Sequence, residues 1–341
     1  MININDLIRP NIRALQPYQS ARGAFYNSAA ILLDANENPF DTGYNRYPDP
    51  YQTSLKAAVA EIKSINPEQI FVGNGSDEAI DLLVRAFCEP GKDRVYFFPP
   101  TFGMYRVVAQ INNVEVVEIP LAENFDLPDI RLINRQLTSS GIVFLCSPNN
   151  PTGNLIPLQL VCQIAGMFNG LVVVDEAYID FAAAPSALSR LAALPNLVVL
   201  QTLSKAYGMA GLRVGLAFAH RQVVEVMNKI KYPYNVSVLS QRQALKLLAD
   251  QEGQQAQTDL IIREREKLRQ ALLPLPFVRQ VYPSAANFLL VRWQDASAIH
   301  SRLRQAGILV RQMAAPLADC LRVTVGTPQQ NELLLKTLKE R

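Results

Sequence analysis

Histidine is almost missing from this chain: His220 and His300 are the two in 341 residues, and neither belongs to a cluster. A Ser-His-Asp triad or a histidine-based metal site has nothing to be built from. Cysteine is nearly as scarce. Cys88, Cys146, Cys162 and Cys320 are scattered without C-x-x-C spacing, which argues against a disulfide framework and against zinc, so no metal is expected. An excess of charge of one sign is lacking too. The net charge of +3, with no basic run, leaves no footprint for nucleic acid. No window reaches eighteen consecutive apolar residues and the first residues hold no apolar h-region. The expectation is a cytoplasmic protein that does not engage a membrane. Internal repeats and low-complexity segments are absent as well. The glycine-rich turn Gly73-Asn74-Gly75-Ser76-Asp77-Glu78 has Glu78 where the third glycine of G-x-G-x-x-G belongs, which counts against a dinucleotide fold.

What is present is an ordinary globular composition, 49% hydrophobic and 18% charged, long enough for a large domain and a smaller one. Short runs rich in β-branched residues recur at Ile70–Val72, Val95–Phe98, Val114–Ile119, Ile142–Cys146, Leu171–Val174, Leu197–Leu200 and Val214–Phe218. Several are apolar throughout, as strands covered on both faces are. Helical patterns fall near 51–63, then between Ser76 and Pro90, and near 101–112 and 156–168. In the second of these Ile80, Leu83, Val84 and Phe87 share a face, Ser76 offers a cap and Pro90-Gly91 a stop. This alternation predicts an α/β domain with a mainly parallel sheet, the pair near 197–218 running antiparallel. Past Pro233 the rhythm changes to a long helical stretch near 238–272 interrupted at Gly253. Strands at Asn287–Arg292, Ile308–Val310 and Leu321–Val325 follow, with helices near 296–306 and 329–340, as in a smaller α+β domain. The division expected is an arm over 1–35 packed on the small domain, a large domain over 36–235 and a small domain over 236–341.

Ligands of open α/β sheets bind beyond the carboxyl ends of the strands. Three such ends carry unusual residues: Ser147-Pro148-Asn149-Asn150-Pro151-Thr152-Gly153, then Asp175-Glu176-Ala177-Tyr178, then Thr202-Leu203-Ser204-Lys205 leading to Gly208, Gly211, Arg213 and Gly215. Singly, each is an ordinary turn or cap. Together they supply an amine able to form a Schiff base with a carbonyl, a buried-strand acid, and a fixed cation for a phosphate or carboxylate.

This set resembles the fold-type I, class-II pyridoxal-phosphate aminotransferases, and more narrowly the histidinol-phosphate aminotransferase family. The narrow likeness rests on Leu15-x-Pro17-Tyr18-Gln19-Ser20-Ala21-Arg22, Asn45-Arg46-Tyr47-Pro48, Ala86-Phe87-Cys88-Glu89-Pro90-Gly91, the Asn149-Asn150-Pro151 turn and Cys320-Leu321-Arg322-Val323-Thr324-Val325-Gly326-Thr327. The resemblance implies a seven-stranded large domain and a pyridoxal 5′-phosphate cofactor. Lys205 is then the Schiff-base lysine and proton shuttle, with Asp175 as partner of the ring nitrogen. Asn150 and Tyr178 bond the ring oxygen, and Phe102 stacks where relatives often have tyrosine. The phosphate falls to Gly75, Ser76, Asp77, Thr202, Ser204 and Arg213, with Tyr47 reaching across a homodimer interface. Tyr18, Asn36, Arg311 and Arg322 hold the substrate. The implied reaction exchanges the amino group of L-histidinol phosphate with 2-oxoglutarate, giving glutamate. A threonine-phosphate decarboxylase or an aromatic amino acid aminotransferase of the same fold is the alternative. A regulator that borrowed the fold needs a DNA-binding domain, and residues 1–35 are too short and too weakly basic for one.

Overall fold

The β-branched runs come together as one seven-stranded sheet in the computed structural model, which describes residues 2–18 and 31–340. Its strands are β1 (Ile70–Asn74), β2 (Arg94–Phe97), β3 (Glu115–Glu118), β4 (Gly141–Cys146), β5 (Leu171–Asp175), β6 (Leu197–Thr202) and β7 (Val214–Ala219). Their order is β1-β7-β6-β5-β4-β2-β3. The pairs β2–β3, β2–β4, β4–β5 and β5–β6 are parallel, whereas β7 opposes both β6 and β1. Connection length explains the reversal: residues 203–213 join β6 to β7 with a single short helical turn, and a parallel partner needs a full crossover.

Alternate residues of each strand feed two apolar layers. Ile142 and Phe144 pack with the helices Ser76–Phe87, Met104–Ile111 and Arg221–Ile230, while Val143 and Leu145 pack with Thr53–Lys63, Leu158–Met167 and Val238–Leu248. Cover on both faces is why these strands read as unbroken apolar runs. The second sheet joins β8 (Val278–Val281), β9 (Phe288–Trp293), β10 (Arg311–Gln312) and β11 (Cys320–Thr324) in the order β10-β11-β9-β8, all antiparallel. Helices Gln251–Leu272, Ala296–Gln305 and Pro328–Lys339 close its core around Trp293, Leu303 and Leu338. Among the described residues no helix is long and apolar enough to cross a membrane.

Several expectations need correction. The first residues do not lie on the small unit. Ile4, Ile8 and Ile12, four apart, present one apolar face that joins the core under the helices Ser76–Phe87 and Arg221–Ile230. The Arg9 N–H donates to the Ala86 carbonyl at 3.0 Å and its guanidinium pairs with Glu89 at 3.1 Å. Nor does the large unit's core stop at residue 235, because Ala244 and Leu248 of the helix Val238–Leu248 pack with Leu55 and Val59. The helical stretch breaks at Ala249-Asp250 rather than at Gly253. Asp250 caps the new helix by accepting from the Gly253 N–H at 2.9 Å. Ser76 is the first helical residue and the cap position belongs to Gly75. The strand expected at Ile308–Val310 falls at Arg311–Gln312, while β8 and the helices Ile130–Gln136 and Arg221–Ile230 were not foreseen. Residues Gln19 to Arg22 of the N-terminal motif lie outside the described residues.

One close approach shapes the functional edge. A Cβ on Gly215 would lie 2.1 Å from the Ser76 nitrogen and 2.2 Å from the Gly75 carbonyl carbon. Both are backbone atoms, so nothing can rotate aside. Gly215→Ala is expected to lower stability by about 3 kcal/mol or more, the upper end of overpacking. Gly166→Ala is the control, since a Cβ there meets nothing within 4 Å. A Gly215→Ala thermal midpoint equal to that of Gly166→Ala would show that the two backbones can part.

Candidate functional site

The carboxyl ends of β4, β5 and β6 open on a cavity of about 110 Å³. Ser76, Asp77, Phe102, Cys146, Asn150, Asp175, Ala177, Tyr178, Thr202, Ser204, Lys205 and Arg213 line it. Its mixed apolar and polar lining suits a small-molecule cleft. A larger hollow of about 880 Å³ lies at the strands' opposite ends, near Asp93, Ser140 and Gly141. There Arg9 pairs with Glu89, and Asp93 accepts from the Ser140 hydroxyl and the Glu89 N–H. It also lies at the wrong end of the sheet for ligand chemistry.

At one end of the cavity the helix Ser76–Phe87 begins. Gly75 has φ +78°, a conformation that strains any side chain, and a Cβ there would lie 2.6 Å from the Arg213 guanidinium. Its N–H is already committed to the carbonyls of Gly73 (2.9 Å) and Arg213 (2.8 Å). Gly75 therefore contributes its backbone path and not a free donor, a correction to its expected role. The N–H groups of Ser76 and Asp77, in the first helical turn, keep the capacity to bind an anion. Glu78 turns away and accepts from the Asn74 N–H and from Asn235 Nδ2 at 2.9 Å. Arg213 arches over this turn, 3.5 Å from Asp77. The Thr202 and Ser204 hydroxyls lie 3.0 Å apart beside it. One guanidinium, two hydroxyls and a helix N-terminus form a phosphate-sized donor set.

At the cavity floor Asp175, 4% exposed, accepts from the Tyr105 hydroxyl at 2.8 Å and from the Ala177 N–H at 3.1 Å. Burial pushes its carboxyl above the usual range, and those two donors pull it back. Glu176, next in sequence, points into the other layer and is held by Ser186, by the Ala187 N–H at 2.7 Å and by Gln201 at 3.0 Å. That alternation gives Asp175 to the cavity and Glu176 to the scaffold. Tyr178 is buried edge-on against Phe288, with centroids 5.1 Å apart. Burial raises its hydroxyl pKa, so it stays a phenol.

Lys205 hangs over the Tyr178 ring, 5.6 Å from its centroid. Its surface remains open to the cavity, yet surrounding protein desolvates the ammonium, and Arg322 and Arg213 repel it further. These effects lower its pKa against the opposing pull of Asp175. Arg322, on β11 of the small sheet, reaches across and donates to Asn150 Oδ1. Its guanidinium also covers the Phe288 ring at 5.4 Å. Arg311 is its cross-strand partner on β10.

Six expected residues are not part of the cavity lining: Gly75, Arg311, Arg322, Tyr18, Asn36 and Tyr47. Tyr18 is 77% exposed, Asn36 is exposed with φ 53°, and Tyr47 stacks on Tyr234 with centroids 4.4 Å apart. Two residues went unforeseen. Cys146 ends β4 in the lining, where burial pushes its thiol up to about 12. Tyr105 is fully buried behind Phe102, and the available signal was a polar-tipped aromatic three positions after Phe102 at a helix start.

Comparison with known proteins matches this geometry. Residues 28–338 match the family Aminotransferase class I and II. A histidinol-phosphate aminotransferase of Parabacteroides distasonis is 50% identical over 341 residues, covering 99% of each chain. The crystal structure of the histidinol-phosphate aminotransferase of Sinorhizobium meliloti in complex with pyridoxal-5′-phosphate superposes with a TM-score of 0.79 at 27% identity, over 86% of this chain and 82% of that one. An L-threonine-O-3-phosphate decarboxylase of Porphyromonas gingivalis gives 0.73 at 26% identity, over 86% and 90%.

Proposed function

The chain belongs to the class I and II aminotransferase family, and on that premise we propose that it transaminates L-histidinol phosphate with 2-oxoglutarate, giving imidazole-acetol phosphate and L-glutamate in histidine biosynthesis. The cofactor is pyridoxal 5′-phosphate. The observation that carries the reading is the convergence of Lys205, Asp175 and the Ser76–Arg213 anion cradle in one cavity, with Arg322 arriving from the second sheet. The donor set fits the cofactor: an amine for its aldehyde, a buried acid for its ring nitrogen, and a guanidinium, hydroxyls and helix N–H groups for its phosphate.

When bound, pyridoxal phosphate supplies a carbonyl carbon that carries the amino group and a cationic ring that draws electrons from the carbon being deprotonated. Lys205 Nζ takes the proton from the substrate carbon bearing the amine, and its lowered basicity makes the unprotonated form more accessible. Asp175 keeps a proton on the ring nitrogen. Tyr178 and the Asn150 amide would bond the ring oxygen, and Phe102 would back the ring. Ser76, Asp77, Thr202, Ser204 and Arg213 hold the phosphate. Arg322 grips the substrate's anionic end, which in histidinol phosphate is a phosphate ester and in glutamate a carboxylate; its planar fork accommodates either. Arg311 adds positive field beside it.

Tyr18, Asn36 and Tyr47 fit this scheme in a homodimer. Tyr44, Tyr47, Tyr51 and Tyr232 are all exposed aromatics of the kind a second copy would cover. Each subunit then lends its Tyr47 to its partner's phosphate cradle, and Tyr18 and Asn36 approach the substrate. A cytoplasmic location suits a biosynthetic enzyme of this kind.

The test is an absorbance spectrum of cofactor-loaded protein before and after L-histidinol phosphate is added without a keto acid. The expected result is conversion to the pyridoxamine form, reversed by 2-oxoglutarate. No conversion, with carbon dioxide released from threonine phosphate, assigns the decarboxylase instead.

A further inference from the structure

Phe97, Phe102 and Phe144 surround one tyrosine. The Tyr105 ring stacks on Phe144 with centroids 4.5 Å apart and planes 6° apart, meets Phe102 edge-on at 5.6 Å, and lies tilted against Phe97 at 6.2 Å. It is fully buried. A phenylalanine would fill this space among three others, so packing alone gives no reason for a hydroxyl here. That hydroxyl meets Asp175 Oδ2 at 2.8 Å. We propose that Tyr105 is a positioning residue, its phenol holding the Asp175 carboxylate aimed and ionised for the cofactor's ring nitrogen while its ring backs the stacking residue Phe102. The inference rests on the cofactor reading above and deepens it.

Physical chemistry gives the phenol a one-way role. A carboxylate in an apolar wall tends to keep a proton, because burial penalises its charge. The groups facing Asp175 come from four sides: Tyr105 from the helix Met104–Ile111, Cys146 from β4, Ala177 and Tyr178 from the turn after β5, and Lys205 and Asp77 from the cavity. Of these, the Tyr105 hydroxyl and the Ala177 N–H donate hydrogen bonds to the carboxylate, Lys205 favours its charge, and Asp77 opposes it. Tyr105 itself is held well above the usual phenol range by burial and by Asp175. It cannot ionise under working conditions, so the hydroxyl remains the donor and the carboxylate the acceptor. The neighbouring Ala177 N–H fixes the other oxygen. Two donors on two oxygens set both the plane and the charge of the acid.

Without the hydroxyl, the carboxylate gains proton affinity and draws the shared proton away from the ring nitrogen. The ring then loses positive charge. The nitrogen that joins Lys205 to the cofactor, no longer repelled by that charge, becomes more basic. This is a signature that loss of packing would not produce.

The experiment is a pH titration of the lysine-bound cofactor's absorbance in holoenzyme, comparing wild type, Tyr105→Phe, Asp175→Asn and the double variant. For Tyr105→Phe the expected titration midpoint rises by about one pH unit. Its kcat for histidinol phosphate falls roughly tenfold, the loss expected from one charge-assisted hydrogen bond, with KM within about twofold. In the Asp175→Asn background, adding Tyr105→Phe should leave the midpoint nearly unmoved, since interacting residues are non-additive. A Tyr105→Phe midpoint and kcat matching wild type would overturn the proposal, as would an equal shift in the Asp175→Asn background. Wild type run alongside separates the two failures. A wild type that titrates but does not turn over histidinol phosphate counts against the substrate reading, and the titration still decides the role of Tyr105. A wild type that takes up no cofactor overturns both.

Discussion

Lys205→Ala is expected to reduce kcat by about 10⁴-fold or more, since it removes both the amine that engages the aldehyde and the base that moves the proton. The neighbouring arginines, Tyr178 and Asp175 cannot replace it. Arg213 and Arg322 are guanidiniums that stay protonated and cannot serve as bases. The Tyr178 hydroxyl is pushed further from ionising by its burial. Asp175 is occupied by Tyr105 and Ala177. Folding should be unaffected, because the lysine lies open to the cavity and its side chain contributes a single cation–π contact to Tyr178. Lys205→Arg should fail as completely, since it restores charge but not basicity. The check is multiple-turnover kinetics on purified, cofactor-saturated variants, with thermal midpoints measured in parallel. Full turnover by Lys205→Ala at an unchanged midpoint would remove Lys205 from its assigned role.

The residues legible in the sequence were those whose position follows from one strand each. Asp175, Lys205 and Asn150 each close an apolar run or follow one by a few residues. A parallel sheet brings such ends to one edge without further information. The less legible features depend on which distant surfaces meet. The N-terminal isoleucines Ile4, Ile8 and Ile12 carry a clear apolar face, but nothing local says which helices it will find. Tyr105 reads as one more core aromatic until β5 is placed beside its hydroxyl. A glycine before a helix ordinarily offers a free N–H, and the sequence suggests one at Gly75. The return of β7 brings the Arg213 carbonyl to that N–H and removes it from service. Tyr18, Asn36 and Tyr47 lie outside the cavity of the single chain, and neither periodicity nor this packing brings them to a ligand. The short strand β10 is defined by its ladder with β11 alone, and its two residues are both exposed.

Arg322→Ala should lower kcat/KM for histidinol phosphate by roughly 10²- to 10³-fold, the effect of removing about 3–4 kcal/mol when one half of a desolvated charge pair is truncated. The geometry supports the upper part of ordinary substrate-anchor effects. Arg322 is half-buried, oriented from one side by Asn150 and from below by the Phe288 ring. Its neighbour across the β10–β11 ladder is Arg311, a like charge. No carboxylate pairs with either arginine among the described residues, and both burial and Arg311 work against the charge of Arg322. Two guanidiniums set side by side without an acid favour an anion between them, and a phosphate ester relieves the repulsion better than a neutral ligand. On the proposed reading, removing Arg322 takes away the principal cation that would meet the substrate phosphate. Arg322→Lys keeps the charge but loses the bidentate fork, and should fall between the wild type and Arg322→Ala. The loss should appear in the half-reactions of both histidinol phosphate and glutamate, because both present an anion to the same group. Single-turnover titration of each amino donor separates the two. A loss confined to glutamate would assign the phosphate to another cation and leave Arg322 as a carboxylate ligand only.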